Sequence, residues 1–109
     1  MQNAELKDAE TISWILLAIS IASQSSSTTF KEILQIADGI NHALPTQKEM
    51  QTSITWLITN ELIIKDGKKY TLSENGKNLN NSAKKQSKVL MKMWKHLESE
   101  LKQKYNNNA

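Results

Sequence analysis

Apolar residues recur along this chain with changing spacing, and the spacing predicts the order of its helices. Apolar residues fill most positions from Trp14 to Ala22, which is typical of a helix covered on all sides, and this first helix is expected over residues 8–23. Apolar residues three or four positions apart predict a second helix over 29–40 and a third over 46–61. The third should begin at a capping box, because Thr46 is followed three residues later by a glutamate.

A β-hairpin is predicted immediately after the third helix, over residues 63–72. Its turn signal is the dipeptide Asp66-Gly67, which stands between two short apolar segments. Tyr70 and Leu72 are two positions apart in the second strand, so both should face the core.

The last predicted element is one long helix over residues 74–104. Its apolar stripe comprises Leu79, Ala83, Leu90, Met93, Trp94, Leu97 and Leu101. Lysines lie on the opposite side, where they are interpreted mainly as a solvated face. Such a helix is about 45 Å long, more than the core of a small domain needs. Its distal stripe is therefore expected to pack on the first helix, on a second copy of the chain, or on both, and a homodimer is predicted.

Together these elements predict a mainly α (α+β) fold. Two helices joined by a short turn, then a hairpin and a further helix, predict a winged helix-turn-helix with a two-strand β-hairpin wing and a long C-terminal helix. At 109 residues, the chain has room for one core. Residues 1–105 are predicted to be a single domain, and residues 106–109 a disordered tail.

Charge is unevenly distributed, and all fourteen basic residues are lysines. Residues 1–64 hold three lysines against seven acidic residues, a net charge of −4, whereas residues 65–109 hold eleven against four, a net charge of +7. An anionic partner should therefore meet the hairpin and the last helix. Without arginine, the chain has no planar fork for bidentate recognition of guanine, although lysine can still neutralise phosphates.

The segment Tyr70-Thr-Leu-Ser-Glu-Asn-Gly76-Lys-Asn-Leu79 resembles the wing exit of PadR-like winged-helix regulators, which share a Tyr-x-Leu-Thr-x-x-Gly pattern. The resemblance implies a winged-helix fold and a DNA-binding regulator. The turn from Asp38 to Thr46 also resembles the inter-helix turn of a group of small bacterial winged-helix proteins without an assigned activity. Two departures matter. Glu61 stands before the first wing strand, where these regulators usually have glycine, and the third helix lacks the row of Arg or Lys that they tend to place along its outer face.

The outer face of the third helix is the first candidate site. Lys48, Thr52 and Thr55 could reach bases or phosphates in the major groove of double-stranded DNA. Trp56 is bulky for a groove, and it could instead anchor a protein partner or pack on a neighbouring element. These three interpretations stay open at the level of sequence.

The hairpin lysines are the second candidate site. Lys65, Lys68 and Lys69 could hold phosphates, or they could be an ordinary soluble turn. We therefore predict a small dimeric DNA-binding transcriptional regulator. The alternative is a winged-helix protein-interaction module without DNA binding. Its candidate protein-contact residues are Trp56, Leu90, Trp94, Leu97 and Leu101.

No enzyme, metal or cofactor is expected. The sequence offers no nucleophile with a plausible base and no glycine-rich phosphate loop. His96 and Glu100 are one helical turn apart but have no evident third ligand. The chain has no cysteine, and its apolar run is shorter than the roughly 20 residues that span a bilayer. No membrane association and a cytoplasmic location are therefore predicted, and no small-molecule effector can be named.

Overall fold

A computed structural model describes residues 8–105, which form a mainly α fold with a small antiparallel sheet. The helices in this part of the chain are α1 (Ala9–Ala22), α2 (Phe30–Asn41), α3 (Gln47–Thr59), α4 (Glu74–Gln86) and α5 (Leu90–Tyr105). The strands are β1 (Thr28–Thr29), β2 (Ile63–Asp66) and β3 (Lys69–Leu72). The tail predicted at residues 106–109 lies outside the described residues.

Helix α1 is the centre of the core. Residues 12–20 are all buried, and α2, α3, α5 and β3 pack around the helix. Trp14 stacks on Trp94 of α5 with ring centroids 5.8 Å apart. The Trp14 indole donates a hydrogen bond to the Ala37 carbonyl over 2.9 Å, and the Trp94 indole donates one to the Glu10 carbonyl over 2.8 Å. The covering that the all-round apolar pattern requires thus comes from the same chain.

Helices α2 and α3 both begin at capping boxes. The backbone N–H of Glu49 donates to the Thr46 hydroxyl over 3.0 Å, and the Thr46 N–H donates to the Glu49 carboxylate over 2.9 Å. Thr29 and Glu32 make the same reciprocal pair at the start of α2. Each box satisfies two backbone donors that a helix start would otherwise leave free. The cap predicted at Thr46 is confirmed.

The sheet has three strands in the order β1-β3-β2. Gly67, with φ +64°, makes the turn between β2 and β3, as the Asp-Gly signal predicted. Tyr70 and Leu72 are both buried, which confirms the predicted inward face. The two-strand prediction missed β1, where Thr28 pairs with Tyr70. A strand of two residues has no periodicity of its own, and only its pairing with β3 defines it.

The prediction of a single long C-terminal helix is wrong. The chain forms two helices there, α4 and α5, which pack against each other. Ser87 is extended, with φ −168° and ψ 156°, and its hydroxyl accepts the N–H of Val89 over 3.0 Å. This break allows α5 to fold back along α1, where Leu97 and Leu101 are fully buried. A continuous helix of about 45 Å would exceed the longest dimension of the molecule, 36 Å, and would leave the distal stripe uncovered.

A close backbone approach joins the wing to α4. The Ser73 hydroxyl donates to the Glu61 carbonyl over 2.6 Å, and the Ser73 N–H donates to the Leu62 carbonyl over 3.0 Å. Gly76 packs directly on that Leu62 carbonyl, and a Cβ atom there would overlap its oxygen. Glu61 itself has φ +61°, a left-handed conformation that glycine adopts most readily. Helix α3 therefore ends before residue 61.

Candidate functional site

The outward side of α3 is a narrow stripe of polar side chains. Lys48, Thr52, Thr55 and Thr59 are spaced by three or four residues and are all exposed, so they lie on one face of the helix. Threonine hydroxyls can donate to phosphates or reach base edges, and a threonine methyl can contact the methyl group of thymine. The stripe is therefore suited chemically to a DNA groove.

Two acidic residues in residues 8–105 lie beside this stripe: Asp8 lines the same depression as Lys48 and Thr52, and Glu49 is already engaged. Glu49 is half-buried, and its side chain accepts the Thr46 backbone N–H in the capping box. Lys48 is exposed and has no ion pair among the described residues. A phosphate approaching the start of α3 would thus meet the Lys48 ammonium group and the positive end of the helix dipole, with the carboxylate of Asp8 as an opposing charge in the same depression.

Trp56 borders the polar stripe and packs against α5. Its ring meets Tyr105 edge to face, with centroids 5.0 Å apart and planes at 80°. The side chain is half-buried against the core. Burial raises the pKa of Tyr105, and the charge of Glu61 raises it further. Of the three sequence interpretations of Trp56, packing on a neighbouring element describes its position, although part of the ring still faces an open depression beside Thr52 and Thr55.

The wing lysines are all exposed but do not share one face. Lys65 pairs across the hairpin with the buried Tyr70, whereas Lys69 pairs with Asp66 on the opposite face. Lys68 lies in the turn between the two strands. The structure therefore places these three charges around the hairpin tip, and an anion could meet them from more than one side.

Lys69 also interacts electrostatically with an acidic residue on α2, Glu32. The pKa of Glu32 lies below its usual value, mainly because its carboxylate accepts the backbone N–H of Thr29, and also because it accepts the Thr28 hydroxyl. The charge of Lys69 lowers this pKa slightly further. Part of the Lys69 charge is thus offset by Glu32 and Asp66, so Lys65 and Lys68 are the less compensated wing lysines.

Most of the predicted protein-contact residues lie inside the molecule. Trp94, Leu97 and Leu101 are buried between α5 and α1, so they are not available to a second chain and the interface predicted on them is wrong. Leu90 is 40% exposed, because the helix break removes it from the buried stripe. The homodimer itself stays a prediction, without these three residues.

His96 lies between two polar side chains. The imidazole Nε2 of His96 lies 3.0 Å from the Ser82 hydroxyl and 3.7 Å from the Glu100 carboxylate. Within residues 8–105, no three metal-ligating side chains come together. No helix in the same range is long and apolar enough to cross a bilayer.

Sequence reasoning missed a second surface, away from α3. Lys77, Lys84 and Lys88 were interpreted as part of a solvated face, but they line cavities at the end of α1. The available signal was the absence of Asp and Glu between Glu74 and Glu98.

Comparisons with protein-family models, with curated proteins and with solved structures found no match.

Proposed function

We propose that this protein is a winged-helix DNA-binding protein that acts as a transcriptional regulator. The order α1-β1-α2-α3-β2-β3 and the sheet order β1-β3-β2 support this, because they are compatible with the layout of a winged helix. In this assignment α3 is the recognition helix in the major groove, and the β2–β3 hairpin is the wing. The PadR-like resemblance at the wing exit points in the same direction.

The observation that carries the proposal is the uncovered polar stripe on α3. Lys48, Thr52 and Thr55 are exposed along one face, and the elements within residues 8–105 leave that face open. A helix with this face in the major groove could contact bases through the threonines and a phosphate through the lysine. Lys65 and Lys68 on the wing would add phosphate contacts beside the groove.

The absence of arginine shapes the expected affinity. Bidentate recognition of guanine is unavailable, so phosphate contacts should supply most of the binding energy and base discrimination should be modest. Two copies acting as a dimer would recover specificity by reading two half-sites one helical turn apart. The homodimer is therefore part of the proposal.

A protein-interaction module remains the second candidate, and Trp56 favours it. The exposed part of its ring lies in an open depression beside α3, and tryptophan is enriched among residues that dominate protein interfaces. In this alternative the same face of α3 contacts a protein, and the wing lysines are ordinary surface.

The deciding experiment measures binding to random-sequence duplex DNA over a range of salt concentrations. Each phosphate contact contributes about 0.9 to the slope of log K against log salt. Replacing Lys65, Lys68 and Lys69 together by alanine should lower that slope by about two units or more, because at least two of them should contact phosphates.

A matched control removes the same charge elsewhere. Lys85, Lys92 and Lys95 are exposed on α4 and α5, and their triple alanine variant should keep most of the slope. Equal losses in both variants would indicate unspecific attraction to a basic protein and would contradict the proposed wing. No binding of the wild type at low salt would reject DNA binding and favour the interaction module.

A further inference from the structure

A groove runs across the C-terminal end of α1, away from α3 and the wing tip. It consists of two adjoining cavities of about 230 Å³ and about 320 Å³, which share Ser20, Gln24 and Lys84 as lining residues. The first cavity reaches β3 and the middle of α4. The second reaches the start of α5. We call this surface the α1–α4–α5 groove.

The charge that lines the groove has one sign. Lys77 and Lys84 line the first cavity, and Lys84 and Lys88 line the second. No Asp or Glu among the described residues lines either cavity. All three lysines are exposed and have no ion pair within residues 8–105. An occupant should therefore carry negative charge.

A buried amide in the first cavity lacks a hydrogen-bond partner. Asn80 is only 7% exposed, and its Oδ1 atom accepts no hydrogen bond within residues 8–105. A buried acceptor without a donor costs free energy, and such groups are uncommon in native proteins. The oxygen itself is enclosed, so the Asn80 side chain has to rotate toward the cavity before an occupant that donates an N–H or O–H can remove the cost. This observation is independent of the lysines.

The other end of the groove is apolar. Ile21, Leu90 and Met93 line the second cavity, and Leu90 is 40% exposed even though it is a large aliphatic side chain. Next to it, Val89 and Met91 are 54% and 51% exposed. An occupant should thus bring an apolar group to the α5 end of the groove.

We propose that the α1–α4–α5 groove binds an acidic peptide segment of a partner protein. A peptide supplies all three features that the groove requires: backbone N–H donors for Asn80, carboxylates for the lysines, and an apolar side chain for the pocket at Leu90 and Met93. Duplex DNA has no flexible aliphatic group to place there. A second copy binding through the same surface would set lysines against lysines. This binding surface does not depend on the DNA-binding proposal.

The test selects peptides from a displayed library of random short sequences against the full-length protein. The expected winners carry two or more acidic residues beside an apolar residue. A synthetic winner is then titrated by fluorescence anisotropy. Lys84→Glu should weaken its binding by about tenfold or more, because it replaces an attraction by a repulsion. Lys95→Glu, on an exposed part of α5 that does not line the groove, is the charge-matched control and should change affinity by less than about threefold.

A second variant separates binding from folding. Asn80→Leu removes the unpartnered amide, so it should leave the melting temperature unchanged or raise it. The same substitution should lower the affinity of the protein for the selected peptide. Selection without acidic winners, equal effects of Lys84→Glu and Lys95→Glu, or unaltered binding by Asn80→Leu would each overturn the proposal. Vesicles containing anionic lipid provide the last arm. If they bind through Lys84 while no peptide is selected, the groove is a membrane-contact surface and the peptide proposal fails.

Discussion

Gly76 is the position at which a single methyl group should reveal how the wing is attached to the rest of the protein. The residue lies in the first turn of α4, where alanine would normally be the better helix former. The Cβ atom of an alanine would overlap the Leu62 carbonyl oxygen and would lie 3.2 Å from the Leu62 carbonyl carbon and 3.4 Å from a Leu72 methyl. The oxygen belongs to backbone, so the clash cannot be relieved by a side-chain rotation.

The cost can be worked out from these contacts. Alanine gains up to about 1 kcal/mol over glycine through helix propensity. Against this, overpacking costs about 1–3 kcal/mol. Moving Leu62 away also strains its bond from the Ser73 N–H and the bond between Gly76 and Ser73, each worth about 1 kcal/mol. We therefore expect Gly76→Ala to destabilise the protein by about 2–4 kcal/mol.

The measurement is urea unfolding followed by tryptophan fluorescence, since Trp14 and Trp94 are buried and stacked. Gly39→Ala is the matched control. Gly39 lies within α2, and a Cβ there would meet nothing within 4 Å, so alanine should stabilise the protein by about 0.5–1 kcal/mol. The two glycine-to-alanine substitutions in helices should thus change the free energy of unfolding in opposite directions. If Gly76→Ala is neutral or stabilising, the close approach of α4 to Leu62 is refuted.

Two further predictions follow from the core and from Glu32. Leu97→Glu should abolish cooperative unfolding, because it puts a charge at a fully buried site between α5 and α1. The control Leu90→Glu, at a 40% exposed site, should keep the native circular dichroism spectrum. A folded Leu97→Glu protein would contradict the packing of α5. The pKa of Glu32 is lowered from 4.5 by folding, so its carboxylate stabilises the fold above pH 4.5 and loses this effect as the pH falls through the lower folded value. The stability difference between wild type and Glu32→Gln should therefore be full at neutral pH and shrink below pH 4.5, and a pH-independent difference in urea titrations would contradict the hydrogen bonds assigned to this carboxylate.

Local sequence patterns were sufficient to predict the structure wherever the signal lies within a few residues. The capping box at Thr46, the turn at Gly67 and the inward pair Tyr70 and Leu72 were all predicted from short spacings and are confirmed. The candidate site was predictable to the same extent. The exposed stripe that includes Lys48 follows directly from helical periodicity.

Elements defined by distant partners were not predictable in the same way. The strand Thr28–Thr29 exists only through its pairing with β3. The break near Ser87 depends on the gain from burying Leu97 and Leu101 against α1, which outweighs the local preference for a continuous helix. No periodicity in residues 74–104 contains this information, since the apolar stripe looks the same whether α1 or a partner chain covers it.

The sequence by itself determined the first three helices, the hairpin, the capping signals and the concentration of lysines after residue 64, because each depends on neighbours along the chain. Only the tertiary structure decided that α1 is covered from within, and that Trp94 lies in the core rather than at an interface. It also brought Asn80 and three lysines to one groove at the end of α1. These outcomes depend on which surfaces meet after the chain has folded back on itself, and burial across long sequence separations is set by packing rather than by local spacing.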